Sequence, residues 1–173
     1  ICFRNELSSI IAINSDMSIG RQRYSLAHEF YHLYFDQKMS STICSRKIDT
    51  NIENEQNANQ FASYFLIPPT ALFEIIQKFK TASGDKLTIS DIIRIEQHFG
   101  VSHQAMLVRL QEENELSSTD AESMQTGIIA RAARLGFDVS LYKPSPEDKK
   151  IRVLGHYICE AETLYQSNII SAG

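Results

Sequence analysis

At 173 residues the chain can bury one substantial core without a disulfide staple. Its 17 Lys and Arg against 21 Asp and Glu give a formal charge of −4, which excludes a broadly basic nucleic-acid-binding protein. Cys2, Cys44 and Cys159 are odd in number and widely spaced with no CxxC, and the longest apolar runs, such as Phe61 to Pro69, are too short for a membrane span. A reduced, soluble, cytoplasmic protein with no membrane association is therefore expected.

Residues 1–14 mix Ile and Phe with small and polar residues and predict two short strands joined by a turn near Asn5 to Ser9, hence a small antiparallel sheet. The chain opens at Ile1 inside the first of these strands, so further sequence is expected before it. Turn formers fill Asn14 to Gly20, and from Arg21 the spacing becomes helical, with Leu26, Ala27, Phe30, Leu33 and Tyr34 on one arc. That helix contains His28-Glu29-Phe30-Tyr31-His32, an HExxH pattern. At about 100° per residue the two imidazoles lie about 40° apart, on a side roughly opposite Phe30, so one face can pack while another holds a divalent ion.

Lys38 to Asn51 is polar and aperiodic and reads as a loop. A second helix is expected from Ile52 to Leu66, with Ala58, Phe61, Ala62, Phe65 and Leu66 on its buried arc and Pro68-Pro69 as its stop. A third runs from Thr70 to Lys80, before a turn at Ser83-Gly84. Thr88 with Asp91 forms a capping box for a helix ending at Phe99-Gly100, Ser102 caps another to Glu113, and the two make a helix-turn-helix unit over 88–113. Beyond a polar linker at Ser117 to Asp120, Thr119 with Glu122 predicts a helix that Gly136 ends. Phe137 to Lys143 is expected as a strand or extended loop, and Val153 to Gln166 as a last helix.

Two histidines need a third protein ligand if a position is to stay open for water. His98, His103, His156 and the carboxylates after His32 are the candidates. Glu55 falls within the apolar arc of the second helix and Glu53 on its polar side, and a carboxylate in an apolar stripe is costly unless paired or bound to a metal. A Glu near a helix start also favours the dipole and solvent, and it is the HExxH upstream that selects the ligand role. The metal set expected is His28, His32 and Glu55, with Asn59 one turn on as a hydrogen-bonding support and Glu29 left free as the catalytic base. His98 near a helix end and His103 after an N-cap have ordinary structural readings.

These segments resemble a known family, the ImmA/IrrE-type metallopeptidases of bacteria and mobile elements. Arg21 to His32 is similar to the family's RxRFTxAHExGH, Glu55 to Ala62 with Leu66-Ile67-Pro68 to its ExxANxFAxxLLMP, and Phe99 to Leu110 to its FGVSxxAxxxRL. Weaker likeness continues through Gly136-Phe137 and Leu141-Tyr142. Tyr31 departs from the family's usual glycine, but it points away from the histidines by about 60° or more, so a packing change with metal binding retained is expected.

The fold implied is α+β, a mostly helical zincin-like metallopeptidase core with a small antiparallel sheet and a C-terminal helical region. Its domains would be 1–117, including the pair at 88–113, and an α+β subdomain at 118–173 packing on it. The activity implied is gluzincin-like endopeptidase chemistry with zinc as the ion and manganese as the alternative. The substrate implied is a helix-turn-helix transcriptional repressor, cleaved to release mobile-element or stress genes.

Tyr142, His156 and Tyr157 are candidates for the oxyanion donor by residue type alone, and the edge strand near Ile10 to Asn14 is one that an extended substrate can join. Two rivals come from other classes. A DNA-binding module on 88–113 is opposed by a second helix whose only basic residue is Arg109 among three glutamates, so no direct nucleic-acid contact is expected. A metallopeptidase-like regulatory binding protein of toxin or antitoxin type is opposed by the intact Glu29.

Overall fold

Helical spacing of apolar residues runs through most of the chain, and the computed structural model, which describes residues 2–4, 9–35, 52–83 and 86–171, is mostly helical. The expected turn at Asn5 to Ser9, the loop Lys38 to Asn51, the turn at Ser83-Gly84 and Cys44 lie wholly or partly outside those residues. Strands β1 (Cys2–Arg4) and β2 (Ser9–Ile11) form an antiparallel ladder in the register Cys2↔Ile11, Phe3↔Ile10 and Arg4↔Ser9. The α-helices among the described residues are α1 (Ile19–Phe35), α2 (Ile52–Leu66), α3 (Pro69–Ser83), α4 (Ile89–Phe99), α5 (His103–Glu112), α6 (Ser118–Ser123), α7 (Ile128–Arg134) and α8 (Tyr157–Gln166). None is long and apolar enough to cross a membrane.

The main core joins α3, α4, α5 and α6 through Leu72, Ile76, Ile92, Ile95, Met106, Leu107, Leu110 and Ala121. A second cluster sets Ile93 of α4 against Ile128 and Ala132 of α7, so α4 is buried on two sides. The ends of α4 are specified locally. Thr88 and Asp91 cap it reciprocally, and Gly100 adopts the left-handed conformation (φ 66°) while its N–H bonds Glu96 O at 2.8 Å. Ser102 then caps α5.

Helix α1 is fixed at its N-terminal end from two sides. Gly20 lies so close to the α4–α5 turn that an added Cβ would stand 2.6 Å from Ser102 N and 2.8 Å from the Val101 carbonyl carbon. Arg23 Nη1 donates to Gly100 O at 3.1 Å. From the other side, Ile19 N donates to Lys143 O at 3.0 Å, and Ser145 N to Ser15 O at 3.3 Å.

A buried carboxylate ties this arrangement to the C-terminal segment. Glu96 is fully buried on α4. It accepts from Tyr142 Oη at 2.6 Å and lies 2.7 Å from His103 Nδ1, whose Nε2 stands 3.0 Å from Met124 O. One residue from each of four segments is thus saturated by the others, which is how a buried carboxylate becomes tolerable.

Several expectations are corrected. The helix expected from Thr119 to Gly136 is two helices: Ser117, two residues earlier, takes the cap by accepting from Asp120 N, and Gly127 in the left-handed region (φ 75°) separates α6 from α7. Phe137 to Lys143 forms no strand. Asp138 accepts from both the N–H and the hydroxyl of Ser140, at 2.9 and 2.8 Å, and winds Val139–Tyr142 into a 3-10 turn. The described residues after Ser118 hold no strand beyond an isolated bridge of Ser18 to Pro144. Helix α8 begins at Tyr157 instead of Val153, after Gly155 at φ 83°.

The arcs of α1 and α2 are narrower than expected, because Leu26, Tyr34 and Phe65 are exposed. The buried side chains of α2 are the small Ala58, Ala62 and Ser63, which let the helices approach closely. The aromatic side chains then pack on one another beside that contact, as in Phe30 with Phe61 and Phe65.

Gly20→Ala should lower stability by roughly 1–3 kcal/mol, because backbone overlap outweighs a helix-propensity gain of at most about 1 kcal/mol; urea unfolding gives the sign. The Tyr142 phenol is pushed well above its ordinary value, by burial first and then by the hydrogen bond and charge of Glu96. The folded state therefore keeps this proton to higher pH than the unfolded chain does. Its stabilising contribution is complete below about pH 10 and is lost as pH rises toward the folded value. Urea midpoints should fall from pH 9 to pH 11 in the wild type, and fall less over that range in Tyr142→Phe.

Candidate metal centre

Pairings between α1 and α2 run in opposite directions along the two helices, with Tyr24 reaching Asn59 and His32 reaching Glu55. That antiparallel register sets the HExxH face of α1 against the start of α2. His28 Nε2 and His32 Nε2 lie 3.2 Å apart. Glu55 divides its carboxylate between them, Oε2 at 3.3 Å from His28 Nε2 and Oε1 at 3.4 Å from His32 Nε2. These three side chains form a group that can hold a metal ion.

The spacing tests the fit. An ion about 2.0–2.1 Å from tetrahedral donors sets them about 3.3–3.4 Å apart. The two nitrogens stand 3.2 Å apart, and Glu55 offers a different oxygen to each, so that one ligand atom from each of the three residues falls within 4.8 Å of the others. His28 Nδ1 lies 3.0 Å from Asn59 Oδ1. With the amide oxygen as acceptor, the ring proton sits on Nδ1 and leaves the Nε2 lone pair facing the cluster. His32 is buried, with 7% of its side chain exposed, whereas the Glu55 side chain is 41% exposed. The cost of burying a charge in an apolar stripe is thus not what distinguishes Glu55. Its convergence with both imidazoles is.

Glu29 follows His28 on α1 and is half-buried. The Tyr24 hydroxyl donates to Asn59 O at 2.9 Å. Burial, and then the nearby Glu112 carboxylate, pushes its phenol above the ordinary value, which favours the protonated, donating form. An open cavity of about 360 Å³ is lined by Tyr31, Asn57, Gln60, Phe61 and Tyr64, so Tyr31, the departure from the family's glycine, forms part of a pocket wall.

The other candidates fall elsewhere. His98 is exposed and stacks edge-on against Phe99. His103 belongs to the Glu96 network, and the Tyr142 hydroxyl is already engaged by Glu96 and Gln97. His156 and Tyr157 are exposed at the start of α8.

Two features were missed in the sequence. Glu96 lies in phase with Ile92, Ile95 and Phe99, the same signal that singled out Glu55, and His103 seven residues on is its partner. The contact of Tyr24 with Asn59 left no signal, because its acceptor is a backbone carbonyl. Arg109 is fully buried, with its guanidinium 3.8 Å from the centroid of the Tyr64 ring and Nη2 2.8 Å from Glu113 Oε1. The single arginine of α5 is therefore unavailable to a phosphate backbone, which counts further against a DNA-reading helix.

A family model described as the IrrE N-terminal-like domain, a peptidase family, matches residues 1–111. No curated protein and no solved structure matches the chain. The matched stretch contains the whole His28, His32 and Glu55 cluster and both helices that carry it, and the chain belongs to the peptidase family of the IrrE N-terminal-like domain.

Proposed function

We propose that the protein is a zinc-dependent endopeptidase with a zincin-like core, its ion held by His28, His32 and Glu55 and its catalytic base supplied by Glu29. The convergence of two Nε2 atoms and one carboxylate within 3.4 Å carries this reading. When bound, such an ion polarises a peptide carbonyl and makes a water molecule acidic enough to attack at neutral pH. Glu29 takes the proton from the attacking water and delivers it to the departing amine nitrogen. Asn59 keeps the His28 ring in one tautomer. The edge near Ile10 to Asn14 receives the substrate in extended form. Residues 1–117 form the peptidase unit, with 118–173 packed on it.

Membership of a peptidase family implies a protein substrate. We propose a helix-turn-helix repressor in the cytoplasm, cleaved to derepress mobile-element or stress genes, and no direct nucleic-acid binding. The sequestration of Arg109 supports the last point.

Purified protein loaded with zinc should cleave the repressor encoded beside its gene, lose that activity in chelator and regain it with zinc. Glu29→Gln should cut cleavage by roughly 10²–10⁴-fold while metal content stays at one per chain. Cleavage at the wild-type rate by that variant would sink the mechanism. Glu55→Ala should leave the fold intact and lose zinc, and full occupancy would remove Glu55 from the ligand set.

A further inference from the structure

Resting on the reading that His28, His32 and Glu55 hold the ion, we propose that Tyr24 is a positioning residue for that cluster and acts through Asn59. Two bonds meet on Asn59. Its backbone carbonyl accepts from Tyr24 Oη at 2.9 Å, and its side-chain Oδ1 pairs with His28 Nδ1 at 3.0 Å. Tyr24 and His28 are one turn apart on α1, so a single residue of α2 is pinned at two points along one face of α1. With backbone and side chain both held, Asn59 has neither axial slide nor side-chain swing with which to leave His28.

The same two points set the register of the third ligand. Glu55 is one turn before Asn59 on α2, and a helix turn advances about 5.4 Å, so a shift of α2 along α1 by a fraction of a turn would open contacts of 3.3 and 3.4 Å. The small side chains buried on α2, Ala58, Ala62 and Ser63, give little interlocking against such a slide, and the ring contacts of Phe30 with Phe61 and Phe65 resist it from the C-terminal half of α2. The Tyr24 hydroxyl adds a directional tie at Asn59 itself. A phenylalanine at this position would fill the same space and leave the carbonyl without that donor.

The test is a double-mutant cycle read by zinc affinity, measured against a chromophoric chelator. Tyr24→Phe should weaken zinc binding roughly threefold to tenfold, and Asn59→Ala roughly tenfold to a hundredfold. Adding Tyr24→Phe to Asn59→Ala should cost less than Tyr24→Phe costs alone, because the part of the effect that runs through the amide is gone, while the tie to the backbone carbonyl of residue 59, and with it the register of Glu55, is still there to lose. Fully additive losses would show that Tyr24 does not act through the Asn59 amide and would overturn the proposal, as would an unchanged affinity in Tyr24→Phe.

Imidazole ¹⁵N shifts of the metal-free protein provide a second readout that loss of stability alone does not move. In the wild type the His28 proton should reside on Nδ1, and in Tyr24→Phe it should distribute over both nitrogens. A wild-type His28 protonated on Nε2 overturns the relay even if the variant fails to fold. A wild type that takes up no zinc sinks the peptidase reading and this assignment together, whereas normal zinc uptake with an unchanged variant sinks only the role of Tyr24.

Discussion

The antiparallel apposition of α1 and α2 is the constraint on which the rest of this structure depends. Two imidazole nitrogens 3.2 Å apart, each within 3.4 Å of one oxygen of the same carboxylate, all carry lone pairs, and such a grouping leaves at least one close contact without a proton unless the rings share protons or a cation enters. Such a convergence persists because it is overdetermined from outside. Small side chains set the distance between the helices, and polar cross-ties to Asn59 set their relative position along the axis.

The remainder of the chain acts mainly on α1. Its first turn is wedged against the α4–α5 turn at Gly20 and tied to Lys143, whose carbonyl accepts from Ile19 N. The α4–α5 turn is stiffened in turn by Glu96, whose carboxylate draws α5, α6 and the segment at Tyr142 onto α4. The helix pair, whose topology suggests a DNA reader, is spent as scaffold, with its arginine turned inward and its caps used to shape the ledge on which the HExxH helix rests. Residues beyond the family match are therefore part of what holds the cluster in place.

Much of this was legible in the residues themselves, for identifiable reasons. HExxH, the capping box of Thr88 with Asp91 and the Pro-Pro stop are local signals whose meaning does not depend on distant contacts, and the helices they mark form close to where they were expected. Breaks imposed by competing local chemistry were not legible in the same way. Ser117 outcompeted Thr119 for a cap, and Asp138 bound Ser140 where alternation suggested a strand. Glu55 was identified through an argument about burial that its exposure does not support, and the correct reason, its aim at both imidazoles, belongs to tertiary structure. The same burial argument would have found Glu96, where it does hold.

The donor triangle also bears on which ion the protein accepts. Because the three side chains are already grouped within 4.8 Å, an ion held there would spend little free energy on ordering them, and discrimination would pass to the chemistry of the donors. Two imidazoles and one carboxylate suit borderline cations, whereas calcium and magnesium look for six or more oxygens, and calcium at longer bonds. Under the proposed metal role, this nitrogen-rich arrangement would filter against abundant magnesium as well as bind an ion.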